Sequence, residues 1–117
     1  MKLRINSYSF GRMMVGNREF TSDLIIHQDG RIQDNWWRAQ GHNLLPGDIT
    51  ALIDDAPEIL VIGTGANGLM RISNDVSELC ERHGIKIEAC YTPEAVTRFN
   101  KAADVGKVVA ACFHLTC

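Results

Sequence analysis

The chain has 117 residues with a formal net charge of -2, 45% of them hydrophobic and 22% charged. That length buries a core in one unit but is too short for separate cofactor and substrate domains, so residues 1–117 are expected to form a single domain. No block of lysine and arginine gives an electrostatic footprint for nucleic acid, no run approaches the roughly 20 apolar residues of a membrane span, and the alternating N-terminus does not read as a signal peptide. A soluble cytoplasmic protein is the expectation.

The first third reads as β structure. Residues 5–10 alternate apolar and polar, residues 13–20 continue with a break near Gly16-Asn17, and residues 23–28 follow. Asp29-Gly30 is a two-residue hairpin signal leading into residues 31–37, so an antiparallel meander is predicted. Leu45-Pro46-Gly47-Asp48 then opens a short helix, with proline in the first turn and Ile49, Leu52, Ile53 and Ala56 on one apolar face until Pro57 ends it.

Residues 58–62 form a continuous apolar run rich in β-branched side chains, the pattern of a central strand covered on both faces. A second helix is predicted with Asn74 or Asp75 as cap, an inner face of Val76, Leu79, Cys80 and His83, and Gly84 as its stop. Residues 85–91 give the next strand. Thr92-Pro93-Glu94 reads as a hydroxyl cap, a proline at the first helical position and an acid near the positive end of the dipole, with Val96, Phe99 and Ala103 as the inner stripe. Gly106 breaks this helix and residues 107–113 form a last buried strand. Helices alternating with strands imply crossovers and a mixed or parallel sheet.

Ligands on such sheets sit beyond the carboxyl ends of the strands, here Gly63-Thr64-Gly65 and Cys90-Tyr91-Thr92. Gly63-Thr64-Gly65-Ala66-Asn67-Gly68 is a literal G-x-G-x-x-G after a strand. A dinucleotide grip needs a helix opening within the glycines, whereas Leu69, Met70, Arg71, Ile72 and Ser73 intervene before any cap. No NAD or FAD binding is therefore expected. A sharp turn, or a nest of amides for a small anion, fits the loop better.

Cys80, Cys90, Cys112 and Cys117 contain no C-x-x-C, and reduced thiols without a disulfide are expected. Cys112, His114 and Cys117 lack a fourth ligand and a known zinc spacing, so no metal is assigned. In Trp36-Trp37-Arg38, alternation puts the indoles on opposite faces, one for the core and one for a meander edge or a partner, with an arginine beside them. Asn100 in mid-helix suggests a side-chain hydrogen bond.

Pro57-Glu58-Ile59-Leu60-Val61-Ile62-Gly63-Thr64-Gly65, His83-Gly84-Ile85, Thr92-Pro93-Glu94-Ala95-Val96 with Phe99-Asn100, and the closing segment from Val109 to Cys117 together resemble one small-domain family. It is the family of the adipogenesis-associated Mth-domain protein and the mitochondrial complex I assembly factor 3. The resemblance covers nearly the whole chain, Trp36-Trp37-Arg38 and the Leu45-Pro46 helix start included. It implies a three-layer α/β fold with a mixed central sheet, covering helices and an additional N-terminal antiparallel β layer. Positions it carries over are Gly63, Thr64, Gly65, Thr92 and Asn100. Gly68 is not a regular feature of that family, and Phe99, just before Asn100, stands where many relatives have tyrosine.

The expected function is a non-enzymatic binding or assembly-adaptor module without a cofactor, with a protein partner or a second copy engaged through Trp36, Trp37 and Arg38. The alternative is a small-ligand enzyme or sensor using a pocket at Gly63, Thr64, Gly65, Tyr91 and Thr92, with Asn100 nearby.

Overall fold

The computed structural model describes residues 3–117; Met1 and Lys2, part of the expected domain, lie outside the described residues. The chain opens with strands β1 (Ile5–Ser9), β2 (Arg12–Val15) and β3 (Arg18–Phe20), which pair antiparallel in sequence order. Gly16 turns between β2 and β3 at φ +57, as the break near Gly16-Asn17 predicts. This meander stops at β3. Strands β4 (Leu24–Ile26) and β5 (Ile32–Gln33) belong instead to the central sheet, because all three β4 side chains are buried and need cover on both faces.

The central sheet runs β5-β4-β10-β7-β9, with β7 (Ile59–Gly63), β9 (Lys86–Cys90) and β10 (Val109–Phe113) added to the two N-terminal strands. β7 pairs parallel with β10 and β9, whereas β4 pairs antiparallel with β10 and β5. The predicted apolar runs thus form the middle of a mixed sheet. A separate parallel pair joins β6 (Asn43–Leu44) to β8 (Arg71–Ile72).

Pleat alternation divides the core in two. On one face Val61, Ala111 and Phe113 pack with Ala95, Phe99 and Ala102 of α3 (Thr92–Asp104) and with Ile5, Met13, Val15 and Phe20 of the N-terminal sheet. On the other, Leu60, Ile62, Ala110 and Cys112 meet Leu52 and Ile53 of α1 (Thr50–Asp54) and Val76 and Cys80 of α2 (Asn74–Arg82). The fold is α/β, with a mixed sheet, covering helices and an added antiparallel layer.

Several local expectations are corrected. The Asp29-Gly30 turn is wider than two residues, since His27 N–H bonds Arg31 C=O and Gly30 N–H bonds His27 C=O. The strand predicted over residues 31–37 ends at Gln33, because Asn35 adopts φ +50 and its N–H is held by Ser22 Oγ at 2.8 Å. Pro46 opens a 3-10 turn (Pro46–Asp48) ahead of α1, and Ala56 is exposed at φ +46 instead of facing the core. Ser73 caps α2, its hydroxyl accepting from Val76 N–H, so neither Asn74 nor Asp75 does. His83 follows the last turn of α2 and is exposed, its Nδ1 2.9 Å from Leu79 C=O.

Candidate functional site

The glycine loop is a joint between segments of the chain itself. Thr64 N–H bonds Cys90 C=O, Ala66 N–H bonds Thr116 C=O, and the N–H groups of Asn67 and Leu69 both bond Cys117 O. Gly65 N–H donates to Thr92 Oγ1 at 2.9 Å, and that hydroxyl donates to His114 C=O at 2.7 Å. The predicted cap role of Thr92 is thereby corrected: Tyr91 is the cap residue, while Thr92 is fully buried and ties the loop to the C-terminal segment.

Each glycine answers to a close approach. A Cβ at Gly63 would stand 2.7 Å from Phe113 Cδ1 and 2.9 Å from Thr92 Oγ1. One at Gly65, where φ is +109, would meet the Cys117 backbone and lie 2.9 Å from His114 Cδ2. One at Gly68 would enter the Tyr91 ring. No helix opens within the motif, since β8 intervenes before α2 begins at Asn74. The loop lacks the geometry on which a dinucleotide fingerprint depends.

Gly63, Thr64, Gly65 and Thr92 are therefore brought together, with Tyr91 exposed beside them. Asn100 stands apart. Its Oδ1 accepts from Ile5 N–H at 2.9 Å and its Nδ2 donates to Ile5 C=O at 2.8 Å, fastening β1 to α3 by both backbone groups of one residue.

The third candidate segment opens onto different ground. Trp36 is 4% exposed, with Nε1–H donating to Asp48 C=O at 3.0 Å, whereas Trp37 is 85% exposed. The opposed indoles are found, although the segment is not a strand. Trp37 edges a cleft of about 450 Å³ whose lining includes Asp23, Arg38, His42 and His114. Asp23 precedes β4 and His114 follows β10, so the antiparallel pairing of those strands brings two residues 91 positions apart into contact.

Arg38 stacks its guanidinium 4.7 Å from the Trp36 ring centroid and donates through Nη2 to Asp23 Oδ2 at 2.9 Å. Asp23 Oδ2 also lies 2.7 Å from His114 Nδ1, and Oδ1 accepts from Leu115 N–H at 2.7 Å. Burial would raise the Asp23 carboxyl, but the hydrogen bonds from His114, Leu115 and Arg38 outweigh it and hold the group below its ordinary value. An ionised carboxylate at that distance fixes the imidazole proton on Nδ1. Arg38 Nη2, 3.1 Å from the same Nδ1, thus shares the carboxylate with the imidazole and does not donate to it.

The Arg38 side chain is 6% exposed and that of His114 7%. Arg38 Nη1 and His114 Nε2 are buried without a hydrogen-bond partner. His114 Nε2 therefore has a base's orientation through Asp23 but no serine, threonine or cysteine bonded to it to activate. Burial pushes the Cys112 thiol up, and Cys112 is fully enclosed. Among the described residues no three His, Cys, Asp or Glu side chains are grouped to hold a metal, and no helix is long and apolar enough to cross a membrane.

Asp23 is a cleft residue that sequence reasoning passed over. Nothing local marks Asp23, whose role is made by β4 lying against β10. Comparison with protein families matches residues 5–114 to one described as a protein of unknown function (DUF498/DUF598). Among solved structures, a conserved hypothetical protein from Pyrococcus horikoshii is 24% identical, with a TM-score of 0.85 over 97% of this chain and 99% of that one. A protein named as an outer membrane protein from Bartonella henselae is 22% identical, with a TM-score of 0.82 over 99% and 97%. A Bordetella pertussis protein described as a Mth938-like domain is 19% identical, with a TM-score of 0.69 over 97% and 85%. These likenesses are likenesses of fold.

Proposed function

We propose, from the premise that the chain belongs to the DUF498/DUF598 family of Mth938-like domains, that it is a non-enzymatic binding or assembly-adaptor module working through the cleft edged by Trp37. The observation that carries this reading is a tryptophan left 85% exposed at the edge of a cleft with a buried, hydrogen-bonded Arg38 in its wall. Tryptophan and arginine are the residue types that dominate interface energetics, and an exposed indole contributes little to folding. The neighbouring Trp36 carries the packing instead.

A partner protein or a second copy of the chain is the expected occupant. The alternative, a small-ligand enzyme or sensor at Gly63, Thr64, Gly65, Tyr91 and Thr92, keeps an accessible group in Tyr91, but the amides that would hold an anion already have acceptors in Cys90, Thr92, Thr116 and Cys117. Replacing Trp37→Ala tests the proposal. Self-association by sedimentation, or capture of a partner in pull-down, is expected to weaken by about 2 kcal/mol while the thermal midpoint stays near that of the parent. Unchanged association would refute the proposal.

A further inference from the structure

We infer that the inner wall of the cleft reads a neutral amide of a protein partner, a backbone peptide or an Asn or Gln side chain, through Arg38 Nη1 and His114 Nε2. The inference rests on the cleft being the binding surface. Its ground is that these two atoms are buried and unpartnered on side chains more than nine-tenths buried. Native proteins seldom leave such atoms unpaired, and the cost of doing so is recovered when a ligand supplies the partner.

The tautomer sets the ligand's polarity. When the imidazole carries a single proton, held on Nδ1 by Asp23, Nε2 presents a lone pair, an acceptor, while Arg38 Nη1 presents only donors. The two side chains adjoin, since Arg38 Nη2 is 3.1 Å from His114 Nδ1. An amide complements a donor and an acceptor carried on adjoining side chains: its oxygen accepts from the guanidinium and its N–H donates to the imidazole. Charge selects in the same direction. Asp23 already offsets Arg38 across 2.9 Å, so a second carboxylate entering the wall would be repelled by the first. His42, itself exposed, lies edge-on to His114 with ring centroids 5.5 Å apart, and exposed side chains of this kind turn rapidly to admit a small group.

The experiment titrates the isotope-labelled chain with benzamide, benzoate and acetophenone, following the imidazole nitrogens of His114, the guanidinium nitrogens of Arg38 and the two indole N–H signals. Benzamide is expected to bind saturably, shifting His114 Nε2 and the Trp37 indole. Acetophenone, which accepts but cannot donate, and benzoate, which brings a charge, are expected to bind about tenfold more weakly. Benzoate binding as tightly as benzamide, or acetophenone doing so, would overturn the amide assignment. So would shifts confined to residues outside the cleft, or no shift at all, which would make the network purely structural. The two proposals fail separately. If Trp37→Ala abolishes association while benzamide does not bind, only this inference falls; if benzamide binds while association survives Trp37→Ala, the adaptor reading falls.

Discussion

Thr92→Val isolates the joint between the glycine loop and the C-terminal segment. Valine matches threonine in shape but has no hydroxyl, so the substitution removes the acceptor for Gly65 N–H at 2.9 Å and the donor to His114 C=O at 2.7 Å. Thr92 is fully buried, and each backbone group left unsatisfied there costs about 1–3 kcal/mol. Sharing some of that loss through small adjustments, the pair should cost about 2–4 kcal/mol. For a chain of this size the thermal midpoint should fall by roughly 8–16 °C. Urea unfolding of Thr92→Val beside Thr92→Ser, which keeps the hydroxyl, is the assay. Serine should lose about 1 kcal/mol, for its missing methyl. A valine variant within about 0.5 kcal/mol of the parent would refute the reasoning, since surface changes alone give differences that small.

Gly65→Ala should destabilise by about 2–5 kcal/mol in chemical unfolding, from φ +109 and the Cβ's collision with the Cys117 backbone and His114. The parent chain should show no saturable NAD binding in calorimetry; micromolar binding lost in Gly65→Val would reverse that reading. Asn100→Leu should cost about 1–3 kcal/mol by leaving both Ile5 backbone groups unpaired, and hydrogen exchange should report faster opening of β1. Because the folded state lowers the Asp23 carboxyl, its contribution is fully present above the unfolded value of about 3.9 and is lost as pH falls below that. Unfolding midpoints across acid pH should therefore drop below about pH 4 in the parent and fall less steeply in Asp23→Asn.

What the sequence disclosed follows from which signals are local. The run Ile59-Leu60-Val61-Ile62 and the segment from Val109 to Phe113 are buried on both faces, so their composition alone marks central strands. Capped stripes likewise located α2 and α3, with Val76, Cys80 and Phe99 inward. Pairing partners are not local. Leu24, Ile25 and Ile26 carry no mark that they leave the meander to lie against β10, and the contact between Asp23 and His114 exists only through that choice. Thr92 was legible as a helix start, but its hydroxyl turns to the loop, accepting from Gly65 N–H and donating to His114 C=O, contacts that no local signal announces. The split between Trp36 and Trp37 was legible from alternation even though the strand itself ends at Gln33 and Asn35 turns the chain at φ +50.

Site-specific photocrosslinking in the cell of origin tests the central claim most directly. A photoreactive benzoylphenylalanine is placed singly at Trp37 and at three further exposed apolar positions, Phe10, Tyr91 and Val105, which lie outside the cleft lining. The account predicts one discrete adduct at position 37, with a second copy of the chain or with one partner protein, and only weak, diffuse labelling from the other three. A discrete adduct at Phe10, Tyr91 or Val105 with none at position 37 would contradict it.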